Sequence, residues 1–293
     1  MGSLLTAVKS KMHIFAHRKA RGLLEGEYAS IFRGNGLDFD DLRDYVPGDE
    51  VRDIDWKATA RTGKPLIKRY VATRRQQLLL VADTGRNMAA LAEGGEPKKD
   101  LAVMAMGVLG LLALGHGDSV ALVHGDAAGT AALPAKGTEH HVEMLLRHMD
   151  AVGLDHEPSD LSSQLEYAAA HYRQRLLLVV IADDVLADPR LAKVVRRLHA
   201  QHEVLWVHIA DAALAGPKAV QGTALDVAGM EPVLAFLAQD PVLARSYADA
   251  MAERARGLAE MLSAHGIATA SIATTSEVIG QIFLLLERHR RGR

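Results

Sequence analysis

Several groups able to bind metal or move protons stand directly behind apolar, strand-like runs. Leu78–Ala82 is followed by Asp83-Thr-Gly-Arg-Asn87-Met88, and Leu176–Ile181 by Ala182-Asp183-Asp184. Pro158-Ser159-Asp160 precedes a helical period. If the two runs are parallel strands, these side chains gather beyond their carboxyl ends, where open α/β sheets bind ligands. Carboxylate and hydroxyl oxygens are hard ligands suited to Mg²⁺ with retained waters. The same residues also cap helices and turns. Pattern alone leaves both roles open.

Other chemistries find less support. The 14 histidines include His140 and His148 on one helical face, but Met144 holds the i+4 position a zinc helix needs. The chain has no His-Glu-x-x-His, no Gly-x-Ser-x-Gly and no Walker A sequence. It has no cysteine, which excludes disulfides, thiolate zinc, iron–sulfur clusters and a thiol nucleophile. Aromatic residues at 4% do not make a stacking platform for single-stranded nucleic acid.

The densest signal runs from Phe32 to Arg61. Arg33-Gly-Asn-Gly reads as a turn, and Pro47-Gly48 sets a type II turn. Arg43, Arg52, Lys57 and Arg61 are interleaved with Asp44, Asp49, Asp53 and Asp55, while Val51, Ile54 and Trp56 supply apolar anchors. Such a mesh either pairs internally, with Arg43 or Arg52 on Asp44 or Asp55, or is read by a partner, because Arg and Trp concentrate binding energy at interfaces. Residues 1–75 carry 15 Lys and Arg against 10 Asp and Glu, and the remainder 19 against 26. That is a mixed surface and not a nucleic-acid stripe.

The elements that would position these residues are written in the periodicity. Apolar runs at Leu78–Ala82, Val120–Val123, Leu176–Ile181, Val204–Ile209 and Ile267–Ile272 predict strands covered on both faces. They alternate with helical periods near 98–115, 138–150, 160–173, 188–201, 240–265 and 276–289. This predicts an α/β domain with a doubly wound, mostly parallel sheet over residues 76–293, and an N-terminal charged segment, 1–75, packed on it. Asp240-Pro241 and Gly266 mark the two ends of one helix, and Thr274-x-x-Glu277 reads as a capping box for the last. The run Leu101–Leu114 predicts a helix buried on nearly all sides, and Trp56 a buried anchor whose removal costs about 3–5 kcal/mol. That longest apolar run is shorter than the roughly 20 residues of a membrane span, and the N-terminus lacks a signal peptide's order of parts. A cytoplasmic chain without membrane insertion is the expectation.

The stretch from Phe32 to Arg61 is similar to the domain-of-unknown-function 58 family: Arg-Gly-x-Gly, Leu-Arg-x-Tyr-x-Pro-Gly-Asp, Val-Arg-x-Ile-Asp-Trp and Thr-Ala-Arg stand here in order, followed by Leu66-Ile-Lys-Arg-Tyr and the strand ending at Asp83. The resemblance covers roughly residues 20–290. It implies a von Willebrand factor A-like fold and a non-catalytic, chaperone-like protein that works with a MoxR-type AAA+ ATPase in assembly, activation or stress-related remodelling. It makes Arg33, Arg43, Asp44, Tyr45, Pro47, Gly48, Asp49, Arg52, Asp55, Trp56 and Arg61 the candidate docking residues. It also implies a metal-ion-dependent adhesion site in degenerate form. Asp83 and Asp183 keep its acidic ligands, Gly85 and Asn87 replace its two serines, and Ser159 stands near its threonine. No cofactor is certain on this reading, and Mg²⁺ is weakened by Gly85 and Asn87. Alternatives are a metal-dependent ligand- or peptide-binding module and a Mg²⁺-dependent hydrolase using Asp83 and Asp183.

Overall fold

The computed structural model describes residues 2–16, 37–46, 49, 53–72, 76–213, 224–233 and 240–291. These form two compact units, Phe32–Gln76 and the remainder.

In the smaller unit a strand, β1 (Leu37–Asp44), pairs antiparallel with β2 (Leu66–Ala72), with a register shift between Phe39 and Asp41. Between them lies a short helix, α2 (Trp56–Thr62). The Asp55 carboxylate caps it by accepting from the amides of Lys57 and Ala58, each at 3.0 Å. Gly63, at φ 74°, closes it with its amide on the Thr59 carbonyl. Tyr45 N donates to Pro65 O and Asp55 N to Leu66 O, so backbone bonds join the connecting segment to β2 and its approach.

The larger unit holds a six-stranded sheet built from β3 (Gln77–Asp83), β4 (Ser119–Asp126), β5 (Gly129–Lys136), β6 (Leu177–Ala182), β7 (Glu203–Ile209) and β10 (Ala268–Ile272). Their order is β10-β7-β6-β3-β4-β5. All neighbours are parallel except the edge hairpin β4–β5. The doubly wound, mostly parallel α/β architecture expected from the alternation is therefore present. One face packs against α5 (Leu161–His171), α6 (Pro189–Gln201) and α7 (Pro241–Ala264), with Leu79, Val81, Val180 and Trp206 at the centre of that core. The other face is covered by α3 (Lys98–Gly115), α4 (Glu139–Asp150) and α8 (Val278–Arg291). A small hairpin, β8 (Ala224–Asp226) with β9 (Glu231–Val233), stands apart from the sheet. No helix among the described residues is long and apolar enough to cross a membrane.

Helix α3 is buried on nearly all sides, as its composition predicts. Its two inner glycines explain how. A Cβ on Gly107 would lie 2.6 Å from Val8 Cγ2, and one on Gly110 would lie 2.8 Å from Val142 Cγ1. Removing both side chains lets α4 and a first helix, α1 (Leu4–Ala16), approach closely. The charged N-terminal segment expected as one piece is thus divided. Helix α1 belongs to the larger unit, where the amides of Leu4 and Leu5 donate to the Glu143 carboxylate at 3.1 and 2.8 Å.

Asp240 caps α7 as expected, and Gly266 ends its turn at φ 65°. The capping box before α8 takes another form. The Thr274 hydroxyl engages Ser276 Oγ at 3.0 Å, while Thr275 gives both its amide and its hydroxyl to Glu96. Strand β5 is an exposed edge whose short run of small apolar residues, Ala131–Ala135, is broken by Pro134, where its pairing with β4 slips register.

Candidate functional site

Asp83 ends β3 and is 0% exposed. Its Oδ1 accepts from Gly85 N at 2.8 Å, which bends the chain into the 3₁₀ turn Arg86–Ala89. The loop carrying Ser159 is tied to this turn: Arg86 N donates to Glu157 O at 2.9 Å, and the His156 ring lies 3.0 Å from Thr84 O. The approach is so close that a Cβ on Gly85 would stand 2.6 Å from the backbone N and Cα of Ser159. Glycine is therefore required here by contact with the neighbouring loop. Asp83 Oδ2, Asn87 Oδ1 and Ser159 Oγ are buried, and the Ser159 hydroxyl favours the charged form of Asp83.

Asp183 follows β6, and a residue absent from the sequence reading meets it. Lys98, the first residue of α3, is 2% exposed, and its Nζ donates to Asp183 Oδ2 at 2.8 Å and to Asp211 Oδ1. Its delivery is built into the preceding turn. Glu93 N donates to Ala210 O, Gly94 N to Ala273 O and Ala212 N to Leu91 O, so residues 91–97 cross the ends of β7 and β10 before α3 begins. Burial works against the ammonium, but the Asp183 and Asp211 carboxylates outweigh it and raise the Lys98 pKa above its ordinary value. Removing one partner of such a buried pair costs about 3–5 kcal/mol, because the other charge is left uncompensated. Burial, and then the charge of Asp183, push the Asp83 carboxyl up to about 7. The structure thus sets Asp83 beside the Ser159 loop and within the field of Asp183, and brings Lys98 and Asp211 to Asp183. One local sign marks Lys98 in the sequence: a cation in the first turn of a helix opposes the helix dipole.

Mg²⁺ does not fit this donor set. Of the two acidic ligands expected for it, Asp183 is already held by an ammonium ion. Gly85 brings no oxygen and has no room for a side chain. What remains is one buried carboxyl, an amide oxygen and a hydroxyl beside a fixed positive charge, whereas Mg²⁺ asks for near-octahedral oxygen ligation. Among the described residues no group of three or more His, Asp or Glu is arranged to hold a metal ion.

A second array lies at the ends of β6, β7 and β10. His208 Nε2 is 2.7 Å from Asp184 Oδ1, and its Nδ1 is 3.2 Å from Ser271 Oγ. Burial opposes the Asp184 charge, but the bond to His208 holds its pKa below the usual range. Ser271 and His208 are cross-strand neighbours, a relation no linear motif reveals. His140 and His148 do not form the face of a metal site. Instead the His148 ring packs 4.7 Å from His124, whose half-buried ring has its pKa lowered to about 4, chiefly by desolvation. Those two rings, with His156, Asp126 and Thr84, line a cavity of about 620 Å³ beside β4.

The candidate docking residues lie in the smaller unit. Arg43 grips the Asp49 carboxylate with both terminal guanidinium nitrogens, at 2.8 and 2.6 Å, and not the carboxylate of Asp44 or Asp55; to Asp44 it gives one bond, to the backbone carbonyl at 3.1 Å. The hydrogen bond raises the Arg43 pKa and lowers that of Asp49. Asp49 also accepts from Val46 N at 2.9 Å, so the pair fixes the turn after β1. Asp55 is a helix cap, Tyr45 is half-buried, and Asp44 and Arg61 are exposed. Trp56, expected to be buried, is 64% exposed, because it opens a short helix that buries none of its residues. Arg33, Pro47, Gly48, Val51 and Arg52 lie outside the described residues.

The family model described as "Protein of unknown function DUF58" matches residues 41–230. The chain belongs to the DUF58 family. Uncharacterized proteins of Mycobacterium bovis and Mycobacterium tuberculosis are each 27% identical to it, over 98% of this chain and 90% of theirs. Solved structures with some likeness include the von Willebrand factor type A protein from Catenulispora acidiphila, at 10% identity and a TM-score of 0.40, over 78% of this chain and 44% of that one. Another is the pilus adhesin SpaC from Lactobacillus rhamnosus GG in its open conformation, at 8% identity and a TM-score of 0.46, over 75% of this chain and 30% of that one. This DUF58 chain spans less than half the length of either.

Proposed function

We propose that this DUF58 chain is a non-catalytic interaction protein whose charged unit, Phe32–Gln76, presents the docking surface for a MoxR-type AAA+ ATPase. The observation that carries the reading is Trp56. A tryptophan left 64% exposed on a capped helix offers a large, pre-ordered aromatic surface of the kind that anchors an interface when a partner covers it. Lys57 and Arg61 on the same helix are exposed with it, and such aromatic and arginine groups dominate interface energy. Arg43 contributes differently: bound to Asp49, it shapes the turn and does not reach for a partner. The partner's identity rests on the family resemblance, and the work done together would be assembly, activation or remodelling of a third protein.

A pull-down of the full chain with the ATPase encoded nearest to it tests this, comparing wild type with Trp56→Ala and Arg61→Ala. Loss of capture by Trp56→Ala with an unchanged melting temperature supports the reading. Undiminished capture by both variants removes the surface from this helix, and no capture by wild type removes the ATPase.

A further inference from the structure

We propose that Lys98 is the resident cation of the strand-end carboxylate cluster, a tethered ammonium that stands where a divalent ion would otherwise be needed and makes this face of the DUF58 domain independent of metal. The geometry is that of a built site. The ammonium is buried at the start of α3, bonded to the buried Asp183 carboxylate just past β6 and to the half-buried Asp211 carboxylate just past β7. The turn 91–97 is held by backbone bonds from residues 91, 93 and 94 to the strand ends it crosses, and its far end by the Glu96 carboxylate on Thr275 and by Lys98 N on Ala90 O, so the fold carries the lysine to the cluster. A carboxylate as deep as Asp183, with the half-buried Asp211 beside it, requires a positive counter-charge. The chain supplies its own, covalently, at no cost in ion binding. Beside the cluster stands the buried Asp83 carboxyl, which accepts from Gly85 N and feels the charge of both Asp183 and Lys98.

The consequence is specific. A site whose cation is a lysine cannot lend an open coordination position to an acidic group on a ligand, so binding by this face does not run through a bridging metal. It also predicts that the metal-binding capacity is masked and not absent. Taking away the ammonium leaves the Asp183 and Asp211 carboxylates uncompensated beside the Asp83 carboxyl, and a divalent ion becomes the available replacement.

The test uses the full chain, melted in EDTA and in millimolar Mg²⁺ or Mn²⁺. Wild type is expected to melt at the same temperature in all three. Lys98→Ala is expected to melt lower in EDTA and to recover with either ion, by roughly 5–10 °C at a hundredfold excess over the dissociation constant. The gain should vanish in Lys98→Ala/Asp183→Asn. Should Lys98→Ala prove too unstable to purify, equilibrium dialysis of Mn²⁺ against wild type still decides, with no binding expected. Stoichiometric Mn²⁺ binding by wild type, or a wild-type melting rise in Mg²⁺ that Asp83→Asn removes, overturns the proposal. So does a folded Lys98→Ala protein that ignores both ions.

Discussion

Restoring a side chain at Gly85 is the perturbation that most directly separates a steric from a chemical account of the strand-end loop. On ligand chemistry alone, Gly85→Ser repairs a degenerate metal loop by adding a hydroxyl. On the geometry it does damage, and Gly85→Ala should do the same. The new Cβ would stand 2.6 Å from Ser159 N and Cα, both backbone, so no flexible side chain can swing aside. Ordinary contact begins near 3.4 Å, so the two loops must separate by most of an ångström. Over-packing of this kind costs about 1–3 kcal/mol. The separation also strains the Arg86 N to Glu157 O bond and the His156 contact with Thr84 O, each worth about 1 kcal/mol. A loss of about 2–4 kcal/mol lowers the melting temperature by roughly 4–15 °C in a domain of this size. Differential scanning calorimetry of Gly85→Ala and Gly85→Ser is the assay. Gly280→Ala is the control: that glycine lies inside α8 with nothing within 4 Å of its missing Cβ, and alanine there should stabilise by up to about 1 kcal/mol. A Gly85→Ala protein that melts with wild type would refute the steric argument, and a Mg²⁺-dependent rise in Gly85→Ser would revive the chemical one.

Other expectations are as direct. Trp56→Ala should change stability by no more than about 0.5 kcal/mol, since the ring is mostly in water; a loss of several kcal/mol in urea titration would mean the ring is covered in the folded protein. The His124 pKa sits at about 4, below the ordinary histidine range, because burial disfavours the imidazolium. The unfolded chain therefore takes up that proton first, and its contribution to stability, complete above the ordinary histidine range, is lost as pH falls toward 4. His124→Gln should flatten that acid limb in melts run across pH, and an unchanged limb would place the titration elsewhere. Ser271 should resist a fluorophosphonate probe despite its contact with His208; stoichiometric labelling lost in Ser271→Ala would make the array catalytic and end the non-catalytic reading.

Much of the scaffold was legible from local pattern. Runs such as Leu176–Ile181 are apolar on both faces because both faces of a parallel sheet are covered, so they announce themselves without tertiary information. Helix α3 shows the same logic at helical spacing, and the ends of α7 are written in Asp240 and Gly266. Edge elements were not legible. Strand β5 has little to bury, and α2 buries nothing, so neither leaves a periodic trace. The Asp49 partner of Arg43 was also beyond reach, since several carboxylates stand at comparable distance along the chain and only the turn geometry chooses among them.

The sequence by itself determined the α/β class, the strands that end at Asp83 and Asp183, and hence the sheet end where a site would lie. Strand ends are local features, set by where apolar runs stop. Only the tertiary structure decided what that site is. Lys98 reaches Asp183 across 85 positions and Asp211 across 113, through a turn that crosses two strand ends, and no local pattern encodes such a meeting. Gly85 looked like a lost ligand until the Ser159 backbone was seen against it. In both cases the deciding quantity is the distance between segments far apart in the chain. Packing of the whole domain sets that distance, and it sets whether a carboxylate cluster receives its positive charge from solution or from its own polypeptide.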